Sequence, residues 1–298
     1  MPPPLPRLKP DPPPPLRPTP EHLADPALKA IYEQTKTAFQ VPWMGVVTMA
    51  FAAYPTFWAT LWRGLAPLAR SRAFVEACAA LRAQAEAEAA AFAPAPIVPA
   101  LRQAGYALAE IEEIRALIEV FSHGNMPYLL TATLARLRLE GEVAAGGAEA
   151  APFEGRHGPA APGARLVLME AHHAPEATRA LYERVKTRLG LPFVNTDYRA
   201  YARWPTAFAL AWDGLDPILD DPAYGRAVDR LHERATALAR ALPDPGGLSP
   251  AALIEAARTD APAAEVLEVV RLFQWLLPGL IANVAMFRAQ LIGAAQAP

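Results

Sequence analysis

The sequence predicts an all-α protein made of two tandem copies of one helical unit, packed as an intramolecular pseudo-dimer. Three observations carry this reading. Residues 27–67 align without a gap on residues 177–217, and 16 of those 41 positions are identical. The shared set is architectural: Tyr32/Tyr182, Pro42/Pro192, Pro55/Pro205, Trp62/Trp212, Gly64/Gly214 and Pro67/Pro217. A repeat of this length is far beyond a solenoid period and implies two packed copies of one unit. Second, apolar residues recur at helical spacing along most of the chain, and no stretch alternates with period two among β-branched residues. Third, 298 residues with 53% hydrophobic and 19% charged side chains are enough to bury a full core.

The elements follow in order. The first 20 residues hold 11 prolines and read as an extended polyproline-II arm, lying on the body or offered to a proline-binding module. We place the arm at 1–25, the first repeat at 26–139, a linker at 140–165 and the second repeat at 166–298. Ala27–Phe39 forms one amphipathic helix that stops ahead of Pro42. Pro55 fits the first turn of the next helix, which runs through Trp62 to about Ala69. An alanine-rich helix spans roughly Arg72–Phe92, and Leu101, Ile111–Phe121 and Pro127–Leu139 carry further helices. His123-Gly124-Asn125-Met126 falls at the break between the last two. Residues 140–165 are rich in Gly, Ala and Pro, as a linker requires. The second half repeats this order, with Asp244-Pro245-Gly246-Gly247 as a turn before its last two helices.

Composition excludes several function classes. With 28 Lys and Arg against 30 Asp and Glu, the net charge of -2 leaves no electrostatic footprint for nucleic acid or an anionic membrane. The single cysteine, Cys78, allows no internal disulfide or Cys-x-x-Cys pair and reads as a buried structural thiol. Thr37–Trp62 is free of charge over 26 residues, long enough to span a bilayer. Pro42, Gly45 and Pro55 interrupt it, and its twin carries Arg188, Asp197, Arg199 and Arg203, so it reads as buried core. The amino terminus lacks the basic start and apolar run of a secretory signal, which points to a cytoplasmic protein. There is no glycine-rich phosphate loop and no G-x-S-x-G elbow, and neither a cofactor nor a metal is expected. His172-His173 resembles a metal pair but has no third ligand at suitable spacing.

Where the copies disagree, chemistry becomes visible. A position that is apolar in one copy and polar in the other is free of a duty to the fold. Asp197 stands opposite Val47 and sits ahead of a helical stretch, where a carboxylate can cap the helix or serve as a base. Past the clear block the repeat slips by two, so that Phe121 meets Phe273 and Asn125 meets Leu277. Asn125 can be a turn or cap residue before Pro127, or an amide that holds a water against a carboxylate. Trp43 faces Phe193, so an aromatic is structural there and only the indole N–H is asymmetric. The predicted pseudo-dimer would bring Asp197 and Asn125 to one cleft, with a silent apolar counterpart.

These motifs have a family behind them. Val41-Pro42-Trp43, Gly124-Asn125 with Tyr128-Leu129-Leu130, and Thr196-Asp197-Tyr198 followed by Trp204-Pro205 resemble the group I 2-haloacid dehalogenases. Those are all-α, pseudo-dimeric, cofactor-independent enzymes. The resemblance runs from about residue 26 to 292. It implies hydrolysis of short 2-haloalkanoic acids to 2-hydroxy acids with inversion. It also implies that Asp197 is the general base, that Asn125 positions the water, that Trp43 lines the halide side and that Thr196 contacts substrate. The chain departs from relatives at Val46, where an aromatic pocket residue is found, and at Phe273, where a tyrosine is found. Asn195, two residues before Asp197, fills volume that an enzyme acting on both enantiomers would need, so selectivity for one enantiomer is expected, and the resemblance to D-acting relatives implies the D side. The residues alone leave open whether Asp197 activates water or forms an ester. A helical binding protein with an apolar pocket, or a hydrolase of another small carboxylate, would fit the same residues, and a homodimer is compatible with either.

Overall fold

The computed structural model describes residues 4–159 and 166–292. The last part of the predicted linker, 160–165, lies outside these residues. Among the described residues the chain forms twelve α-helices and no strand; one isolated bridge joins Ser71 to Pro152. The helices are α1 (Pro26–Phe39), α2 (Val46–Phe51), α3 (Pro55–Ala69), α4 (Arg72–Ala91), α5 (Val98–Gln103) and α6 (Leu108–Leu139). They are followed by α7 (Glu176–Leu189), α8 (Thr196–Tyr201), α9 (Pro205–Leu215), α10 (Pro222–Ala241), α11 (Pro250–Asp260) and α12 (Ala263–Ile292). The all-α prediction holds.

The duplication reaches individual bonds. Helices α1 and α7 both have 14 residues, α2 and α8 both have 6, and α4 and α10 both have 20. The Tyr32 hydroxyl donates to the Thr19 carbonyl at 2.8 Å, and Tyr182 donates to the Met169 carbonyl at 2.7 Å. Tyr54 and Trp204, just before the prolines that open α3 and α9, share one backbone conformation (φ -117, ψ 81 and φ -114, ψ 81). Both α1 and α7 end in the left-handed region, at Gln40 (φ 51) and Gly190 (φ 63). Glycine adopts this freely; Gln40 does so at a cost, offset by its side chain. Gln40 Oε1 accepts from the N–H groups of His157 and Gly158, and Nε2 donates to the Gly155 carbonyl.

The chain forms two compact units. One contains the residues up to Ala85, His123–Gly158 and Arg226–Ile281. The other contains Glu86–Ser122, Pro159–Gly225 and the chain from Ala282. In the first unit Phe39 is the aromatic centre, edge-on to Trp62 and Tyr128 and stacked on Phe74. The open N-terminus of α3 is closed by Asp260 at the end of α11, whose carboxylate accepts the Phe57 N–H at 2.8 Å. The proline-rich arm lies on this unit. Leu5 is buried, its carbonyl accepts from His232 Nε2, and the Pro6 carbonyl accepts from Arg136. In the second unit Tyr198, Tyr201, Phe208, Trp212 and Phe287 form an aromatic core.

One reading of the sequence is kept and one changes. The charge-free stretch Thr37–Trp62 is divided among α1, α2 and α3 and is buried as predicted, with Phe39, Phe51, Phe57, Trp58 and Leu61 all inside. The described helix that is long and apolar enough to cross a membrane is instead α12, and 83% of its apolar window is buried within the protein. The predicted break around Asn125 is absent: α6 runs without interruption from Leu108 to Leu139, with Pro127 inside it. Every residue from Val120 to Leu139 is buried. Burial on all sides outweighs the local cost of a glycine and a proline, each unfavourable in a helix interior.

Candidate active site

The predicted site residues fall into two groups. Trp43, Val46, Asn125 and Phe273 belong to the first unit, and Asn195, Thr196 and Asp197 to the second.

In the first unit, Trp43 sits on the turn between α1 and α2, whose backbone is fastened from outside. The Met44 N–H donates to Glu21 Oε1 at 2.8 Å, and Lys36 holds the other oxygen of that carboxylate at 2.6 Å. The Gly45 N–H donates to the Tyr128 hydroxyl at 2.7 Å. A Cβ on Gly45 would lie 2.5 Å from the Tyr128 ring, so only glycine allows this approach. Trp43 and Val46, which flank this point, are both half-buried. Asn125 is buried and lies one turn before Tyr128 on α6, hence on the same face. It is a mid-helix residue, so both the turn role and the cap role that the sequence allows are withdrawn. The ring in Pro127 has no N–H to give to the His123 carbonyl four residues back, so the helix ladder is open beside Asn125.

His123 Nε2 lies 2.7 Å from the Phe39 carbonyl, so that nitrogen carries the proton. Burial lowers the pKa of the ring and keeps it neutral. His157, likewise bound to the Ala38 carbonyl and lowered by burial, lies 5.4 Å from it between ring centres. Phe273 is buried on α12 and meets Phe51 edge-on at 5.9 Å. No hydroxyl enters here where a tyrosine would supply one.

In the second unit, α8 begins at Thr196 with Asn195 at its N-cap. The Asn195 side chain makes no capping bond and is half-buried. Asp197 is the second helical residue and is 6% exposed, against 4% for its twin Val47. The fold buries this position in both copies, and only one copy puts a carboxylate there. Thr196 is half-buried, with its hydroxyl 3.5 Å from Arg199 Nη2. The Arg199 guanidinium is paired with Glu170 at 2.6 Å.

Among the described residues no group of three or more His, Cys, Asp and Glu side chains is placed to hold a metal ion. His172 and His173 are exposed with rings 4.1 Å apart. Cys78 is buried, and burial raises its thiol pKa, which suits a structural role. The fastening residues Glu21 and Tyr128 were not singled out from the sequence as parts of the site. The difference between copies marks one of them, because Tyr128 meets Leu280 at the offset that pairs Phe121 with Phe273.

Comparison with known proteins points one way. The family described as halocarboxylic acid dehydrogenase DehI matches residues 42–190. An (R)-2-haloacid dehalogenase of Rhizobium sp. (strain NHG3) is 46% identical over 247 residues, covering 82% of this chain and 95% of that protein. One from Pseudomonas putida is 38% identical over 280 residues, covering 92% of each. A crystal structure of a D-2-haloacid dehalogenase mutant superposes with a TM-score of 0.85 at 36% identity, covering 97% of this chain and 99% of that one.

Proposed function

The chain belongs to the DehI family of 2-haloacid dehalogenases, and we propose that Asp197 and Asn125 supply its chemistry. It is a hydrolase that acts on the carbon–halogen bond of short 2-haloalkanoic acids. It is D-selective and inverts configuration at Cα. In the proposed reaction a water oxygen attacks Cα opposite the halogen and forms the new C–O bond. The C–X bond breaks, and halide leaves with its electron pair. Asp197 takes one proton from the attacking water and later releases it to solvent, while the other proton stays on the product hydroxyl. Asn125 orients that water, since an amide can donate and accept at once. Trp43 lines the halide side, and Val46, Asn195, Thr196 and Phe273 shape the substrate site.

The observation that carries the assignment is the burial of Asp197 at a place where the fold is content with valine. Burying a carboxylate is costly where valine would serve the core, and a base needs a buried setting. General-base assistance is worth about 10²–10⁴-fold. Asp197→Asn should therefore reduce halide release from D-2-chloropropionate by at least about 100-fold. Its thermal unfolding should stay within about 2 kcal/mol of wild type, the cost of a lost helix-terminal group. Substantial turnover in this variant would remove Asp197 from the role. The substrate is the partner this reading needs. The net charge of -2 supports neither nucleic acid nor an anionic membrane as another. A homodimer and a cytoplasmic location complete the proposal, and light scattering tests the first.

A further inference from the structure

The residue after Asp197 belongs to a chain of three neutral polar side chains within one unit. The Tyr224 hydroxyl donates to Asn283 Oδ1 at 2.7 Å, and Asn283 Nδ2 donates to the Tyr198 hydroxyl at 2.8 Å. Tyr198 follows Asp197 in α8, and both Tyr198 and Asn283 are buried. The Tyr198 ring is packed against Phe208, Trp212 and Phe287, with centroids 5.8 to 6.1 Å away.

The first copy lacks this chain. Buried Ala77, Cys78, Leu81, Ala85 and Ala89 of α4 match buried Ala227, Val228, Leu231, Ala235 and Ala239 of α10 at one offset, which sets Phe74 opposite Tyr224. In the register that pairs Phe121 with Phe273, Thr131 stands opposite Asn283, and Thr48 is the twin of Tyr198. Phe74 stacks on Phe39, Thr48 bonds the Gly45 carbonyl, and the Thr131 hydroxyl is buried without a partner. Three positions thus differ between the copies together; in the second copy they are joined to one another, and one of them, Tyr198, follows Asp197, the residue that replaces Val47.

We propose that Tyr198, Asn283 and Tyr224 are positioning residues that fix the rotation of α8 and so the aim of the Asp197 carboxylate. The proposal rests on Asp197 being the base. Helix α8 has 6 residues and no side-chain cap, so its own bonds hold its orientation weakly. Successive helical side chains point about 100° apart, so pinning Tyr198 into the core sets the direction of Asp197. An amide and two phenols do this without bringing up a cation, which would stabilise the carboxylate and weaken it as a base. A displacement of about 1 Å at a reacting group costs roughly 100-fold in rate.

The test is a triple variant, Tyr198→Phe, Asn283→Leu and Tyr224→Phe, assayed beside Tyr198→Phe alone and Asp197→Asn. Removing all three polar groups together leaves none of them buried and unpaired. The triple variant should keep its Tm within about 5 °C of wild type, while kcat on D-2-chloropropionate falls at least about tenfold and KM changes less than about twofold. Tyr198→Phe keeps the ring and should shift kcat in the same direction, so the proposal does not depend on the triple variant folding. A structural role alone would give the reverse, a lower Tm with kcat per folded molecule unchanged, and would overturn the proposal. Wild-type kcat in Tyr198→Phe beside an inactive Asp197→Asn overturns only the positioning role. Turnover in Asp197→Asn overturns the base beneath it.

Discussion

At the scale of single residues, the disagreement between Asp197 and Val47 is informative because their burial agrees. Asn195 can be read in the same way. It is the N-cap of α8, yet its side chain does not cap the helix. In the proposed site this amide meets substrate. An alkyl group pressed against it would cost roughly 1–3 kcal/mol in lost hydration, or about ten- to 100-fold in rate. Halide release from separate D- and L-2-chloropropionate should therefore favour D in the wild type, and Asn195→Ala should gain L activity. An alanine variant with no such gain would remove Asn195 as the selector. Asp197, Asn125 and Trp43 can be picked out as candidates from the sequence because the two copies act as a control for one another. The chain from Tyr198 to Tyr224 cannot, since its members lie on three helices and only folding joins them.

At the scale of elements, local signals were right where an end is made locally and wrong where packing decides. Pro42 and Pro55 mark the end of α1 and the start of α3 as the sequence predicts. Around Asn125 the glycine and the proline signal a break, but a segment buried from Val120 to Leu139 stays helical throughout. The turn at Gly45 offers a measurable contrast. A Cβ there would meet the Tyr128 ring at 2.5 Å, whereas a Cβ at Gly225, inside α10, has nothing within 4 Å. Gly45→Ala should lose about 1–3 kcal/mol by overpacking, and Gly225→Ala should gain up to about 1 kcal/mol. Urea unfolding of the two variants checks both. Equal effects would mean that the turn is not held against Tyr128.

At the scale of the whole molecule, sequence halves and compact units differ in composition. The first unit contains α1–α3 of one copy with α10 and α11 of the other, an exchange that periodicity alone does not reveal. The proline-rich arm is tied to this unit through a buried network. His232 Nε2 donates to the Leu5 carbonyl, Gln274 Nε2 donates to His232 Nδ1, and Arg136 holds Gln274 Oε1. His232 must therefore be neutral, since a proton on Nδ1 would face the Gln274 amide hydrogens. Burial lowers its pKa, and the Arg7 and Arg136 charges lower it further, against Asp229 and the Leu5 carbonyl, which act to raise it. The unfolded chain takes up the proton first, so this stability is fully present above about pH 6.5 and is lost as the pH falls toward the folded-state value. The urea midpoint of the wild type should fall between about pH 7 and 5, and fall less in His232→Gln. An equal fall in both would take His232 out of the account.

The central claim, that Asp197 activates water and never bonds to carbon, is tested most directly by isotope. A single turnover of D-2-chloropropionate with excess enzyme is run in ¹⁸O-labelled water, and the product is analysed for its configuration and label. Direct attack gives L-lactate that carries ¹⁸O from the first turnover. Unlabelled first-turnover lactate, its new oxygen drawn from Asp197, would contradict the account.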